Sequence, residues 1–347
     1  MSKITKLTPF DHFKALDGYH CQTNSFAKIY EFYNSSLSED MLLGVGSGIG
    51  FMYWHQKGTL PFFGGRDNNK NFHIDIGKRT GVVISKQSTS STVKAEKSLI
   101  EMLNNQQPVM MFIDMGFLPC FNFGVDYHFG GHTHVACGFD GGKTVLISEI
   151  DPEDTGLKRG FTYEISLEQL AKARGSPYKP FPPQNAYFVF DFTNFKQPEA
   201  EDILTSIKQT VKQMLNPPIN NFGTNGIRKA GIEIKKWEKQ FASNDFRMSI
   251  FNIYLFVTIA GTGGGIFRYM YSRFLKEASR LLPNKELAKI GDIIKECGDM
   301  WTEMASPLKD ALDFDNPAVL VKDVPDKLNV IADREGEAFR MLKEIIE

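Results

Sequence analysis

Gly18-Tyr19-His20-Cys21-Gln22-Thr23-Asn24-Ser25 runs straight into Phe26-Ala27-Lys28-Ile29-Tyr30-Glu31-Phe32-Tyr33. The apolar residues at 26, 29, 30 and 33 keep helical spacing, which predicts a helix beginning close to Cys21. A thiol at a helix N-terminus faces unpaired backbone N–H groups and the positive end of the dipole, both of which favour thiolate. Well downstream, His128-Phe129-Gly130-Gly131-His132-Thr133-His134-Val135 places a histidine cluster at the mouth of a predicted strand. An early thiol, a histidine on one strand and an acid on the next make the layout of a cysteine nucleophile with its base and orienting group.

Each of these residues also has a plainer role. Buried cysteine is a common small hydrophobe, but the Gly, His, Gln, Thr, Asn and Ser around Cys21 are polar and turn-like, unlike the setting of an inert core thiol. His132 is preferred as base over His128 and His134: it shares a strand face with His134 and lies nearer the open end. His134 then reads as a supporting or structural group. A His-x-His pair can chelate zinc, yet no third ligand is offered, so no metal is expected. The orienting acid falls on the following strand, where Glu149 and Asp151 share one face. Asp151, at the strand end before Pro152, could equally be a turn former.

Composition narrows the class. The 347 residues suffice for two domains, and 42% hydrophobic with 23% charged residues and a net charge of -1 describe a soluble globular protein. No basic stripe or block of like charge points to nucleic acid. Cys21, Cys120, Cys137 and Cys297 show no paired spacing, and Met1 to Pro9 lack a signal-peptide apolar core, so free thiols in the cytoplasm are expected. The run from Ser249 to Phe267 is interrupted by Asn252, two threonines and four glycines, and its unbroken apolar part falls far short of the roughly 20 residues a bilayer needs. It reads as a buried helix ending at a glycine-rich turn, with no membrane partner.

Two domains are predicted. Residues 1–196 alternate strand and helix patterns, as an α/β or α+β domain does. Strands are expected at 81–85, 108–113, 134–139, 144–148 and 186–190, with helices at 92–103 and 166–173. From Gln197 to Glu347 only helical periodicity remains, and Lys196-Gln197-Pro198-Glu199-Ala200 marks the boundary. Gly44-Val45-Gly46-Ser47-Gly48-Ile49-Gly50 follows a helix where a dinucleotide fingerprint follows a strand, and Gly261-Thr262-Gly263-Gly264-Gly265 lacks the Gly-Lys-Ser/Thr ending of a P-loop. Both read as close backbone packing, and no cofactor is expected.

His20-Cys21, Leu37-Ser38-Glu39-Asp40-Met41-Leu42-Leu43-Gly44-Val45-Gly46-Ser47-Gly48-Ile49-Gly50-Phe51, Pro108-Val109, Phe117-Leu118-Pro119, His128-Phe129-Gly130-Gly131-His132 and Gly138-Phe139-Asp140 together resemble the N-terminal domain of the butirosin biosynthesis H protein family. The helical half, notably Gly261 to Gly265 with Tyr269 to Ala278, resembles the helical domain that often follows it. The resemblance implies an α+β, papain-like cysteine-enzyme domain followed by an all-helical domain. It further implies an acyltransferase of secondary metabolism that moves an acyl group from an acyl carrier protein thioester to an amine, with Cys21 as nucleophile, His132 as base and Asp151, or else Glu149, as acid. A small-molecule amine and an acyl carrier protein or other acyl thioester are the implied partners, and a homo-oligomer stays open. A peptidase or amidase on the same machinery, and a binding protein that kept the fold, are the alternatives. One departure bears on the oxyanion hole. Papain-like peptidases carry a glutamine a few residues before the cysteine, but position 15 is alanine and no glutamine lies upstream, so Gln22, Asn24 or a distant residue must supply the second donor.

Overall fold

The computed structural model describes residues 7–67, 70–121, 127–152 and 156–347. The chain forms two compact units, and they are not contiguous stretches: Met1–Glu39 with Gly81–Lys196 make one, Asp40–Thr80 with Gln197–Glu347 the other. The sequence-based division at 196/197 coincides with one junction. It differs over Asp40–Thr80, which folds with the helical unit and interrupts the first.

The first unit is α+β. Its six-stranded sheet is antiparallel throughout, in the order Val83–Gln87, Tyr187–Asp191, Val109–Ile113, His132–Phe139, Thr144–Ile150 and Gly160–Ser166. Alternation along these strands separates two faces. Val109, Met111, Ile113, Ala136, Val145, Ile147 and Ile165 form one core with Leu99 and Leu103 of the helix Thr92–Asn104 and with Leu170 and Ala173 of the helix Leu167–Arg174. Serine caps start both helices: Ser91 accepts from the Lys94 N–H, and Ser166, the last residue of its strand, accepts from Gln169.

The other face takes the helix Cys21–Phe32. Phe26 packs 5.6 Å from the Phe188 ring and 5.9 Å from Phe190, while the Ser25 hydroxyl meets Thr133 at 3.4 Å. Thr23 through Tyr30 are all buried, so the helix is enclosed beyond the single apolar stripe its spacing suggested. The strand Gly160–Ser166, absent from the sequence reading, was announced by Phe161, Tyr163 and Ile165 at period two.

The second unit packs helices around a hairpin. Ile49–Trp54 pairs antiparallel with Phe62–Arg66, and Phe51, Tyr53 and Phe63 join Trp237, Ile250, Trp301 and Leu328 in one core. The segment 197–347 contributes helices, and the hairpin comes from the inserted segment. Gly44 and Gly46 allow close packing, because a Cβ would lie 2.1 Å from the Phe274 ring and 2.2 Å from Phe72. The helix Ser243–Tyr254 ends through a π-turn at the 261–265 glycines, where a Cβ on Gly265 would lie 2.8 Å from Gly298. It buries one side only, and among the described residues no helix is long and apolar enough to cross a membrane. At the centre Arg268 holds Glu335 through Nε and Nη2 at 2.7 and 2.8 Å, and the Trp301 indole donates to the same carboxylate at 2.7 Å.

Candidate active site

Cys21 is the first residue of its helix. His20 stands at the N-cap in extended backbone with no side-chain cap, and the first turn carries no acidic residue, so nothing in that turn opposes a thiolate. The loop entering the helix is pinned by Glu39. Its carboxylate accepts the backbone N–H groups of Tyr19 and His20 at 3.2 Å and the Thr23 hydroxyl at 2.9 Å. Gly18 pairs with Lys158 across a β-bridge and leaves no room for a side chain: a Cβ would lie 2.0 Å from Glu39 Oε1.

Burial raises the Cys21 thiol, but the charges of His20 and His132 and hydrogen bonds with both rings override it and hold the thiol well below its ordinary value. The Sγ stands 4.0 Å from His20 Nδ1. The other thiols behave oppositely: burial pushes Cys120 and Cys137 up to about 12, and Cys297 upward as well. Of the four thiols, Cys21 is thus the one held toward thiolate.

His132 opens its strand, and its Nε2 lies 2.6 Å from Glu149 Oε2. The two side chains are 7% and 2% exposed, so this contact is sheltered from water. Burial alone would lower the imidazole, yet the Glu149 carboxylate and the Cys21 sulfur raise it to about 10. With Nε2 held by Glu149, Nδ1 is the nitrogen left for the thiol. Glu149 is itself oriented, accepting the Ile150 N–H at 3.0 Å through Oε1, and the Phe121 ring stands edge-on to His132 at 5.3 Å.

Asp151, expected as the acid, is placed differently from Glu149. It lies one residue beyond the strand Thr144–Ile150 and turns to Arg159, whose Nη2 is 2.9 Å from Oδ2. Glu149 and Asp151 share a face by period, but only Glu149 is still within the ladder and reaches the ring. His128 and His134 serve elsewhere. His128 Nδ1 meets Asp114 at 2.9 Å and its ring stacks on Tyr178 at 3.4 Å. Buried His134 has no hydrogen-bond partner on either ring nitrogen among the described residues, and burial holds it neutral, well below 6.5. No three His, Cys, Asp or Glu side chains converge as metal ligands among the described residues.

Sequence reasoning missed Glu39 and Lys28, the latter buried and donating to the Glu149 carbonyl at 3.3 Å. Lys28 carried a readable signal, since it falls on the helix face of Cys21, Asn24 and Ser25. Nothing local announced Glu39. Asn24, a candidate second oxyanion donor, gives its amide to the Leu16 and Asp17 carbonyls at 3.2 and 3.1 Å.

Residues 20–150 match the family described as butirosin biosynthesis protein H, N-terminal, a segment that starts one residue before Cys21 and ends one after Glu149. The chain thus carries a butirosin biosynthesis protein H N-terminal domain. Residues 168–342 match a second family, a domain of unknown function (DUF4872), which spans half of the chain. Within the butirosin H match lie the thiol, the imidazole and the carboxylate that meets it, whereas Asp151 falls just outside. No curated protein matches the chain.

Proposed function

We propose that this protein, through its butirosin H N-terminal domain, is a cysteine-dependent acyltransferase that takes an acyl group from a thioester and delivers it to an amine. The observation that carries the reading is a thiol at a helix N-terminus beside an imidazole whose Nε2 lies 2.6 Å from the Glu149 carboxylate, an arrangement that draws the thiol toward thiolate. The antiparallel sheet with the thiol helix on one face is compatible with the papain-like architecture the resemblance implies.

In the first half-reaction the Cys21 thiolate adds to the thioester carbonyl, the donor's C–S bond breaks, and the departing thiolate takes the proton of the His132 imidazolium. Neutral His132 then accepts a proton from the amine as its nitrogen attacks the acyl-Cys21 carbonyl. The C–S bond of the acyl-enzyme breaks, and the thiolate–imidazolium pair returns. Exchange between two thioesters is nearly balanced, whereas the amide is downhill, so the second half-reaction draws the first forward. Glu149 holds the ring throughout and stabilises its charged form whenever it carries the proton. A small amine and an acyl carrier protein or other acyl thioester are the partners of this reaction, and a reducing compartment such as the cytoplasm keeps the nucleophile free.

Incubation with acyl-N-acetylcysteamine thioesters, with and without amines, tests the proposal by intact mass and product analysis. An acyl adduct on wild type that Cys21→Ala lacks, discharged by amine to an amide, is expected. Thiol release with no amide in the presence of amines would convert the reading to hydrolysis. Absence of an adduct with every donor would leave a binding protein and overturn it.

A further inference from the structure

We propose that Lys28 is a positioning residue for the Cys21–His132 pair, joining the helix that carries the thiol to the strand residue that holds the imidazole. The inference rests on the proposed acyltransferase site. Lys28 follows Cys21 by two helical turns, roughly 10 Å along the axis, on the same side of the helix. Its side chain is 1% exposed, and Nζ donates to the backbone carbonyl of Glu149 at 3.3 Å. Glu149 carries the carboxylate that meets His132 at 2.6 Å. One buried ammonium thus couples both halves of the site.

A buried ammonium is costly, and a methionine would fill the same space without that penalty. What the charge supplies is balance. Thiolate, imidazolium and the Glu149 carboxylate together carry one net negative charge in a sheltered site, and the ammonium cancels it. Around Lys28 stand Glu149, Glu39, Asp17, the Cys137 thiol and neutral His134. Burial brings the ammonium down to about 8, the carboxylates holding it up against that trend. Without Lys28 the Glu149 backbone loses its tether to the thiol helix, the imidazolium is held less well, and the thiol returns toward its ordinary value.

The test follows alkylation of Cys21 by iodoacetamide in the full chain from pH 5 to pH 10, by mass spectrometry, together with melting temperature. Lys28→Met is expected to stay folded while the midpoint of its alkylation profile moves up by about one pH unit, a roughly tenfold lower rate on the acidic limb. Lys28→Gln, which keeps a donor without the charge, serves if the methionine variant does not fold. A wild-type profile in the variant overturns the proposal, as does failure of both variants to fold, which would make Lys28 structural only. His132→Ala separates the two levels: if it keeps the wild-type profile, the Cys21–His132 reading fails, whereas its loss of low-pH reactivity beside an unchanged Lys28→Met profile sinks the Lys28 proposal alone.

Discussion

Nε2 of His132 lies 2.6 Å from Oε2 of Glu149, and both side chains are buried. This contact orients the ring through Nε2, and in the proposed reaction it gives Glu149 the role of the acid. Glu149→Gln removes the charge and presents an amide to the ring. It should lower acyl transfer by at least about a hundredfold, whereas Asp151→Asn, at the residue that pairs with exposed Arg159, should stay within about twofold. Steady-state rates of the two variants decide between the carboxylates, and equal losses would count against Glu149.

Selective labelling follows from the contrast among the four thiols. At pH 6 iodoacetamide should modify Cys21 alone, because its thiolate is stabilised while burial raises the other three. Peptide mapping would locate the adduct, and Cys21→Ala should remain unlabelled. A dominant adduct on Cys120 would contradict the assignment.

Glu39 ties stability to pH. Burial is the largest influence on its carboxyl and raises it from 4.5 to about 7, against hydrogen bonds from Thr23, Asn24 and the Tyr19 and His20 backbone. The folded protein therefore binds this proton more tightly than the unfolded chain, and its contribution is complete below about 4.5 and lost as pH rises through about 7. Glu39→Gln cannot titrate. Its melting temperature should fall less than wild type between pH 4.5 and pH 7, and parallel curves would refute the role.

In the helical unit Arg268 and Glu335 form a bidentate ion pair with both side chains fully buried. Arg268→Met leaves a buried carboxylate without its cation and should cost about 3–5 kcal/mol in denaturant unfolding. Adding Glu335→Gln should recover part of that loss, since an amide leaves no isolated charge. A single variant as stable as wild type would show that water compensates Glu335.

Several parts of this architecture were legible before any coordinates. Strands at 109–113, 144–150 and 187–191 and helices at 92–104 and 167–174 lie within a few residues of the positions that period and caps indicate. Cys21 stands at its helix N-terminus and His132 at its strand mouth for the same local reasons.

What the sequence by itself determined is therefore what depends on neighbours along the chain: element type, the thiol at a helix start, the histidine strand and the turn to helical periodicity after 196. Tertiary structure alone decided which carboxylate meets His132, which residues brace the thiol, and that Asp40–Thr80 belongs with the helices. Period two places Glu149 and Asp151 on one face but cannot say where the ladder ends, and that end turns Asp151 to Arg159. Glu39 and Lys28 matter because folding buries their charges against groups 16 to 121 residues away. The energy of such contacts arises from burial and from partners that local pattern does not encode.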